Sequence, residues 1–323
     1  MQRVRQLSVI RLCNPIDFGG HHHTGWPWVR TYLRALESDD GLPLDDAVDY
    51  SYRAGKHVVA PLREKPWGAI FHQPADFPDW FPGYKTSPSV WMECGEWRRS
   101  APHLVLAVAM CNPLADWLEA RLERPVLRLL HPAAPARESF DLERFEARPR
   151  VVQLGHHLRN LEAIRQLRPV QGMEYVDVRL EGPVPEKRQR AVEEHWKSLG
   201  SRVRHPGVSV WSPLDDAGYE RLLAESVVFV EFLSVAAANV VVECMMRATP
   251  LVVNRLAAVE DYLGRDYPLF YDDIADAHRL LDRASLRAGN AYLAGLDKSG
   301  LEPERFVTGL EAGLRDAIGS HVR

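Results

Sequence analysis

The stretch "EFLSVAAANVVVECMMRATPLVVNRLAAVEDYLG", Glu231 to Gly264, decides the fold. An apolar strand ends at Glu231, and a turn of small residues follows from Ser234 to Ala238. "NVVVECMMRA" then has helical spacing. Thr249-Pro250 breaks it, and "PLVVN" is a second apolar run that leads into another helical segment. Continuous apolar strands alternating with helices belong to parallel sheets covered on both faces. Glu243 is the notable polar residue: either a carboxylate enclosed in a folding unit or a functional one at a ligand cleft.

The same rhythm extends outward. "LSVIRL" near Leu7, "WGAIF" at Trp67, "LVLAVA" at Leu104 and "PVLRLLHP" from Pro125 read as strands, with helical "WPWVRTYLRAL" and "CNPLADWLEARLE" between them. After a proline- and charge-rich stretch, strands restart at "VVQLG" (Val151) and continue through "VSVW", "SVVFVEF" and "PLVVN". The expected organisation is an α/β N-terminal domain over 1–135, a linker over 136–149, and a C-terminal domain over 150–300. A terminal helix over 301–323 crosses back. Two doubly wound domains of this kind face each other across a cleft at strand carboxyl ends and helix N-termini, which suits a diphosphate-bearing ligand.

Composition narrows the function classes. The chain has 323 residues, 46% hydrophobic and 26% charged, with a formal net charge of -4. That balance gives no global attraction to nucleic acid. No apolar run approaches the roughly 20 residues of a membrane span, so a cytoplasmic protein is expected. Four scattered cysteines form no CxxC pair and read as reduced thiols.

"SVAAANVVVECMMRATPLVVNRLAAVEDYLGRDYPLFYDD" resembles the C-terminal domain of GT-B glycosyltransferases, especially the retaining group that uses nucleotide sugars. "VVQLGHHLRNLEAI" looks like that group's first C-terminal strand, glycine turn and basic residue. "NPIDFGGHHHTGW" resembles the N-terminal Gly-Gly loop, and "FHQPADFPDWF" falls where a histidine loop would sit. The whole is also similar to a set of bacterial glycosyltransferase-like proteins. The resemblance implies a sugar moved from a nucleotide-diphosphate donor to an acceptor, with retention and without a metal or other cofactor. The partners implied are this donor and acceptor alone. A catalytically degenerate relative that binds a nucleotide, glycan or protein is the alternative. Retaining members carry Glu, seven residues, Glu; here the second is Glu243 and the first position is Val235. The usual lysine after the glycine turn is replaced by Arg159-Asn160.

Donor-binding candidates are Gly19, Gly20, Gly155, Arg159, Asn239, Glu243 and Glu260. Glu243 would hold the ribose hydroxyls; otherwise it sits in the first turn of a helix capped by Asn239, where an acid favours the dipole. Arg159, expected at a helix start, would meet phosphate, or else is an ordinary solvated arginine. Gly155 serves the turn by accepting positive φ. Glu260 is a donor-side acid or a helix N-terminal one. Catalytic candidates are His23, His72 and Arg159, with His23 or His72 orienting or deprotonating the acceptor hydroxyl. His72 and His131 both follow apolar strands, and His156 and His157 flank the phosphate region. His21, His22 and His23 are consecutive and cannot easily face one ion, so no metal site is expected. Trp26, Trp28, Phe77, Trp80 and Phe81 either stack on a ligand or fill core.

Overall fold

The computed structural model describes residues 9–14, 25–52, 65–200 and 207–321. Gly19, Gly20 and His23 lie outside the described residues. The chain forms two compact units. One comprises Met1–Asp76, Gly83–Ala133 and Ser299–Arg323; the other comprises Phe77–Pro82 and Ala134–Lys298.

The first unit holds β1 (Ile10–Leu12), β2 (Leu42–Asp45), β3 (Trp67–Phe71), β4 (Leu104–Ala109) and β5 (Leu127–Arg128). These strands are parallel and lie in chain order among the described residues. Every residue of β3 is buried, because both faces of a parallel sheet are covered. On one side Tyr52 stacks on Trp91, with ring centroids 5.3 Å apart, and Trp97 meets Trp91 edge-on at 5.0 Å. α1 (Trp26–Leu33) and α2 (Asn112–Leu122) belong to this unit. The last helix, labelled α9 below (Pro303–His321), also packs here, against α1 and β4. Gly309 and Gly313 leave a notch on it for Leu129 and Leu127. A Cβ at either glycine would come within 2.6 or 2.7 Å of a leucine methyl carbon.

The second unit holds β6 (Arg150–Leu154), β7 (Glu174–Val178), β8 (Val208–Trp211), β9 (Val227–Val230), β10 (Leu251–Asn254) and β11 (Phe270–Tyr271). The order is β11-β10-β9-β6-β7-β8, all parallel. The chain builds from β6 toward β8, then returns to β9 on the other side of β6. That reversal is the position at which open α/β sheets receive ligands. The helices used below are α3 (Leu142–Ala147), α4 (Pro183–Ser198), α5 (Asp216–Glu225), α6 (Asn239–Arg247), α7 (Ala257–Leu263) and α8 (Arg283–Gly295).

Two segments depart from the expected layout. Residues 136–149 are not a free linker: Asp141 caps α3 through bonds from Glu143 N and Arg144 N, and Phe140 and Phe145 are buried. Phe140 N donates to Arg247 O and Asp141 N to Ala224 O, each at 2.7 Å. Two phenylalanines within a charged run supply the apolar anchors. Likewise Phe77–Pro82, although encoded in the first half, is part of the second unit.

Candidate functional site

At the reversal point the loop after β6 is bonded to the loop after β9. Asn160 N donates to Glu231 O and Leu233 N to Leu158 O, both at 2.8 Å, while Arg159 and Phe232 form an antiparallel bridge. Asn160 Nδ2 reaches the Glu231 carboxylate at 2.5 Å, and Asn160 Oδ1 accepts from Glu162 N. Burial raises the pKa of Glu231. Asn254, ending β10, exchanges two bonds with the Phe232 backbone at 2.8 and 2.9 Å. Leu158 is held at φ 50°, a left-handed conformation that costs a non-glycine residue about 1–2 kcal/mol.

Gly155 has φ 75°, as a glycine turn requires, and has a second reason to be glycine. A Cβ there would fall inside the Arg159 guanidinium. Arg159 does not begin a helix; the helical turn that follows starts only at Ala163. Its Nη1 donates back to Leu154 O, and its guanidinium lies 5.4 Å from the centre of the Phe232 ring. Burial lowers its pKa, while Tyr219 and Glu243 act in the opposite sense. The bridge between the two loops sets this inward orientation. Beside Gly155 and His156 a cavity of about 250 Å³ opens between the ends of β6 and β7 and α4, with Asp177, Arg179, Gln189 and Arg190 in its walls.

Glu243 is 4% exposed and accepts a 2.6 Å hydrogen bond from the Tyr219 hydroxyl. Burial, then the neighbouring carboxylate, push the Tyr219 phenol well above its usual range, so it remains a donor. The capping alternative does not hold. Extended Ala238 is the residue before α6, Asn239 is its first residue, and no side chain caps it. Glu243 therefore falls in the second turn, facing α5 instead of the helix end. The half-buried Asn239 amide has no hydrogen bond among the described residues. One turn on, Arg247 donates to Glu243 O at 3.0 Å and makes a two-point ion pair with Glu220. Arg247 and Glu220 are 1% and 3% exposed. Adjacent residues of α5, Tyr219 and Glu220, thus hold both Glu243 and Arg247 on α6. Glu260, in the first turn of α7, pairs with Arg255 at 2.9 Å, and Arg255 also meets Asp272.

In the first unit, His72 follows β3 as expected. Its Nε2 lies 2.8 Å from Asp46 O, and since a carbonyl only accepts, Nε2 carries the proton. The ring packs edge-on against Trp26, 4.2 Å between centroids. Burial pushes its pKa down to about 3, and that of His131 to about 4. A lowered pKa makes this imidazole a weaker general base and suits it better to orienting a hydroxyl. Spectra of protein labelled with ¹⁵N-histidine are expected to show His72 as the neutral Nε2–H tautomer, unchanged down to about pH 5. An Nδ1–H tautomer, or titration near pH 6.5, would contradict this geometry.

Around His72 lies a carboxylate group absent from the sequence reading. Asp45, Asp46 and Asp49 are at most 2% exposed. Asp45 binds Asn14 Nδ2 at 2.9 Å, and Asp46 accepts from Trp26 Nε1 and pairs with Arg30. Asp49 accepts from the backbone N–H groups of His72 and Gln73 at 2.7 and 3.2 Å. Each aspartate keeps one buried oxygen without a hydrogen-bond partner among the described residues. Burial raises all three pKa values, Asp46 to about 6 and Asp49 to about 7. "LPLDDAVD", acids directly after an apolar strand, was the available signal. Tyr219, Glu220, Asn160 and Glu231 carried no comparable local pattern.

Among the described residues no group of three or more His, Cys, Asp or Glu is arranged to hold a metal, and no helix is long and apolar enough to cross a membrane. No protein-family model matches the chain, and no curated protein is significantly similar to it in sequence. Solved structures are similar in fold. An alpha,alpha-trehalose 6-phosphate synthase from Burkholderia multivorans aligns with TM-score 0.57 at 14% identity, over 91% of this chain and 75% of that one. TarM of S. aureus, in complex with Fondaparinux, alpha-GlcNAc-glycerol and UDP, aligns at 0.60 and 13%, over 88% and 58%. WaaG, a glycosyltransferase involved in lipopolysaccharide biosynthesis, aligns at 0.52 and 13%, over 91% and 84%. The chain has the two-domain, Rossmann-like GT-B fold.

Proposed function

We propose that this chain is a glycosyltransferase that moves a sugar from a nucleotide-diphosphate donor to an acceptor hydroxyl, with retention and without a metal. One observation carries the reading: the glycine turn at Gly155, Arg159 and the Tyr219-held Glu243 meet at the reversal point of the second unit's sheet. Their fold is shared with a solved glycosyltransferase, WaaG, and with TarM, solved in complex with UDP. Glu243 receives the ribose hydroxyls, with Tyr219 fixing the carboxylate. Asn239 and Glu260 are further donor-side groups, and the cavity beside Gly155 offers space for the nucleotide. Arg159 leaves Leu154 O to meet the departing diphosphate, where a well-placed donor is worth about 3–4 kcal/mol. His72 orients the acceptor.

Calorimetric titration with UDP and GDP tests this. Glu243→Ala is expected to weaken nucleotide binding by about 10- to 100-fold, the scale of lost hydrogen bonds to a charged group. A loss of stability with unchanged affinity would assign Glu243 to the packing between α5 and α6 instead.

A second reading, nucleotide or glycan binding without turnover, is favoured by Val235 in place of the first glutamate and by the inward Arg159. Nucleotide release from a panel of nucleotide sugars separates the two.

A further inference from the structure

The Phe77–Pro82 segment packs where the loop after β6 most needs support. Phe77 and Phe81 are 4% and 1% exposed and form one apolar cluster with Leu158, Leu161 and Val192, joined by Trp80, Trp196 and Leu233. Phe77 and Phe81 both meet the His157 ring, with centroids 5.6 and 6.2 Å away. From α4, Arg188, Val192, His195 and Trp196 recur at the spacing of one helix face. Along that face Arg188 lies over Phe81 at 5.8 Å, and His195 stacks on Trp80 with centroids 3.9 Å apart and planes 9° from parallel. The segment is thus wedged between α4 and the loop.

Leu158 stands at the centre of this cluster in its left-handed conformation. Such a conformation persists only where its surroundings over-determine it. On one side its carbonyl is held by Leu233 N; on the other its side chain is enclosed by the segment's aromatics. The next two residues are Arg159 and Asn160, which bridge to Phe232 and Glu231. We infer that Phe77 and Phe81 are positioning residues for the candidate donor site: they hold the loop after β6 in the conformation that places Arg159 beside Gly155 and Glu243. The link to the donor rests on the function proposed above; the link to the loop does not.

Residue-resolved hydrogen exchange of the full chain without ligand tests the loop link, with Phe81→Ala, Phe77→Ala and the conservative Phe81→Leu. The amides of Asn160 and Leu233 are expected to exchange at least tenfold faster in the alanine variants, while those inside β6 and β9 keep their rates. Phe81→Leu restores most of the protection. Unchanged loop rates, or acceleration shared equally by β6 and β9, would overturn the positioning role. UDP titration of the same variants tests the donor link: affinity falls at least tenfold with Phe81→Ala and recovers with Phe81→Leu. Faster loop exchange with unaltered UDP affinity would overturn the donor link. If the wild-type chain binds neither UDP nor GDP, the function proposal fails and the exchange rates alone decide the positioning role.

Discussion

Asp49→Asn is expected to stabilise the first unit by about 4 kcal/mol at pH 8 and by less than about 2 kcal/mol at pH 5. Asp49 is buried, and its pKa rises from 3.8 to about 7, chiefly through loss of hydration. In a group shifted this way the folded state holds the proton more tightly than the unfolded one. The associated stability is present below pH 3.8 and is lost as pH rises through about 7. Above that range the fold encloses a carboxylate whose second oxygen has no partner among the described residues. Asparagine removes the charge yet keeps an oxygen for the His72 and Gln73 amides. The opposite arm comes from His72 and His131, whose lowered pKa values cost stability as pH falls below 6.5. The two slopes oppose each other in the wild-type chain, and the variant, which lacks the alkaline-side loss from Asp49, leaves the acid-side loss from the histidines exposed. Urea unfolding at several pH values reads the difference. An Asp49→Asn effect of equal size at pH 5 and pH 8 would show that Asp49 does not titrate in this range.

Glu220→Ala is expected to cost the second unit about 3–5 kcal/mol, the range for breaking a buried ion pair on one side. Arg247 has no exposed side-chain surface, and Glu220 supplies both of its charged contacts. Removing Glu220 leaves a guanidinium enclosed with, among the described residues, only the Glu243 carbonyl as partner. The double change Glu220→Leu with Arg247→Met restores most of the loss, because no charge is then left enclosed. Denaturant midpoints for the single and double variants check this; equal destabilisation in both would mean that packing, not charge, dominates.

The sheets were legible because their strands are buried on both faces and read as unbroken apolar runs, "WGAIF" and "VVFV" among them. Residues 136–149 misled because charges dominate locally, while Phe140 and Asp141 find their backbone partners, Arg247 and Ala224, far along the chain. Gly155 was legible, since positive φ is a local demand. Arg159 was not, because its direction follows from a bridge to Phe232. Tyr219 and Glu243 meet across 24 positions on two helices, a pairing that no local pattern encodes. Three neighbouring aspartates ordinarily mark surface, so "LDDAVD" hid a buried group.

The helix that carries Gly309 and Gly313 belongs to the first unit but is the last part of it to be translated. A ribosome delivers the last residue of the second unit, Lys298, before the helix that completes the first. Domains commonly mature in the order in which they emerge. Here the portion translated first is finished last, with Leu127 and Leu129 left uncovered until α9 arrives. A nascent chain stalled before Ser299 would carry a closed second unit and an open, chaperone-attracting first one.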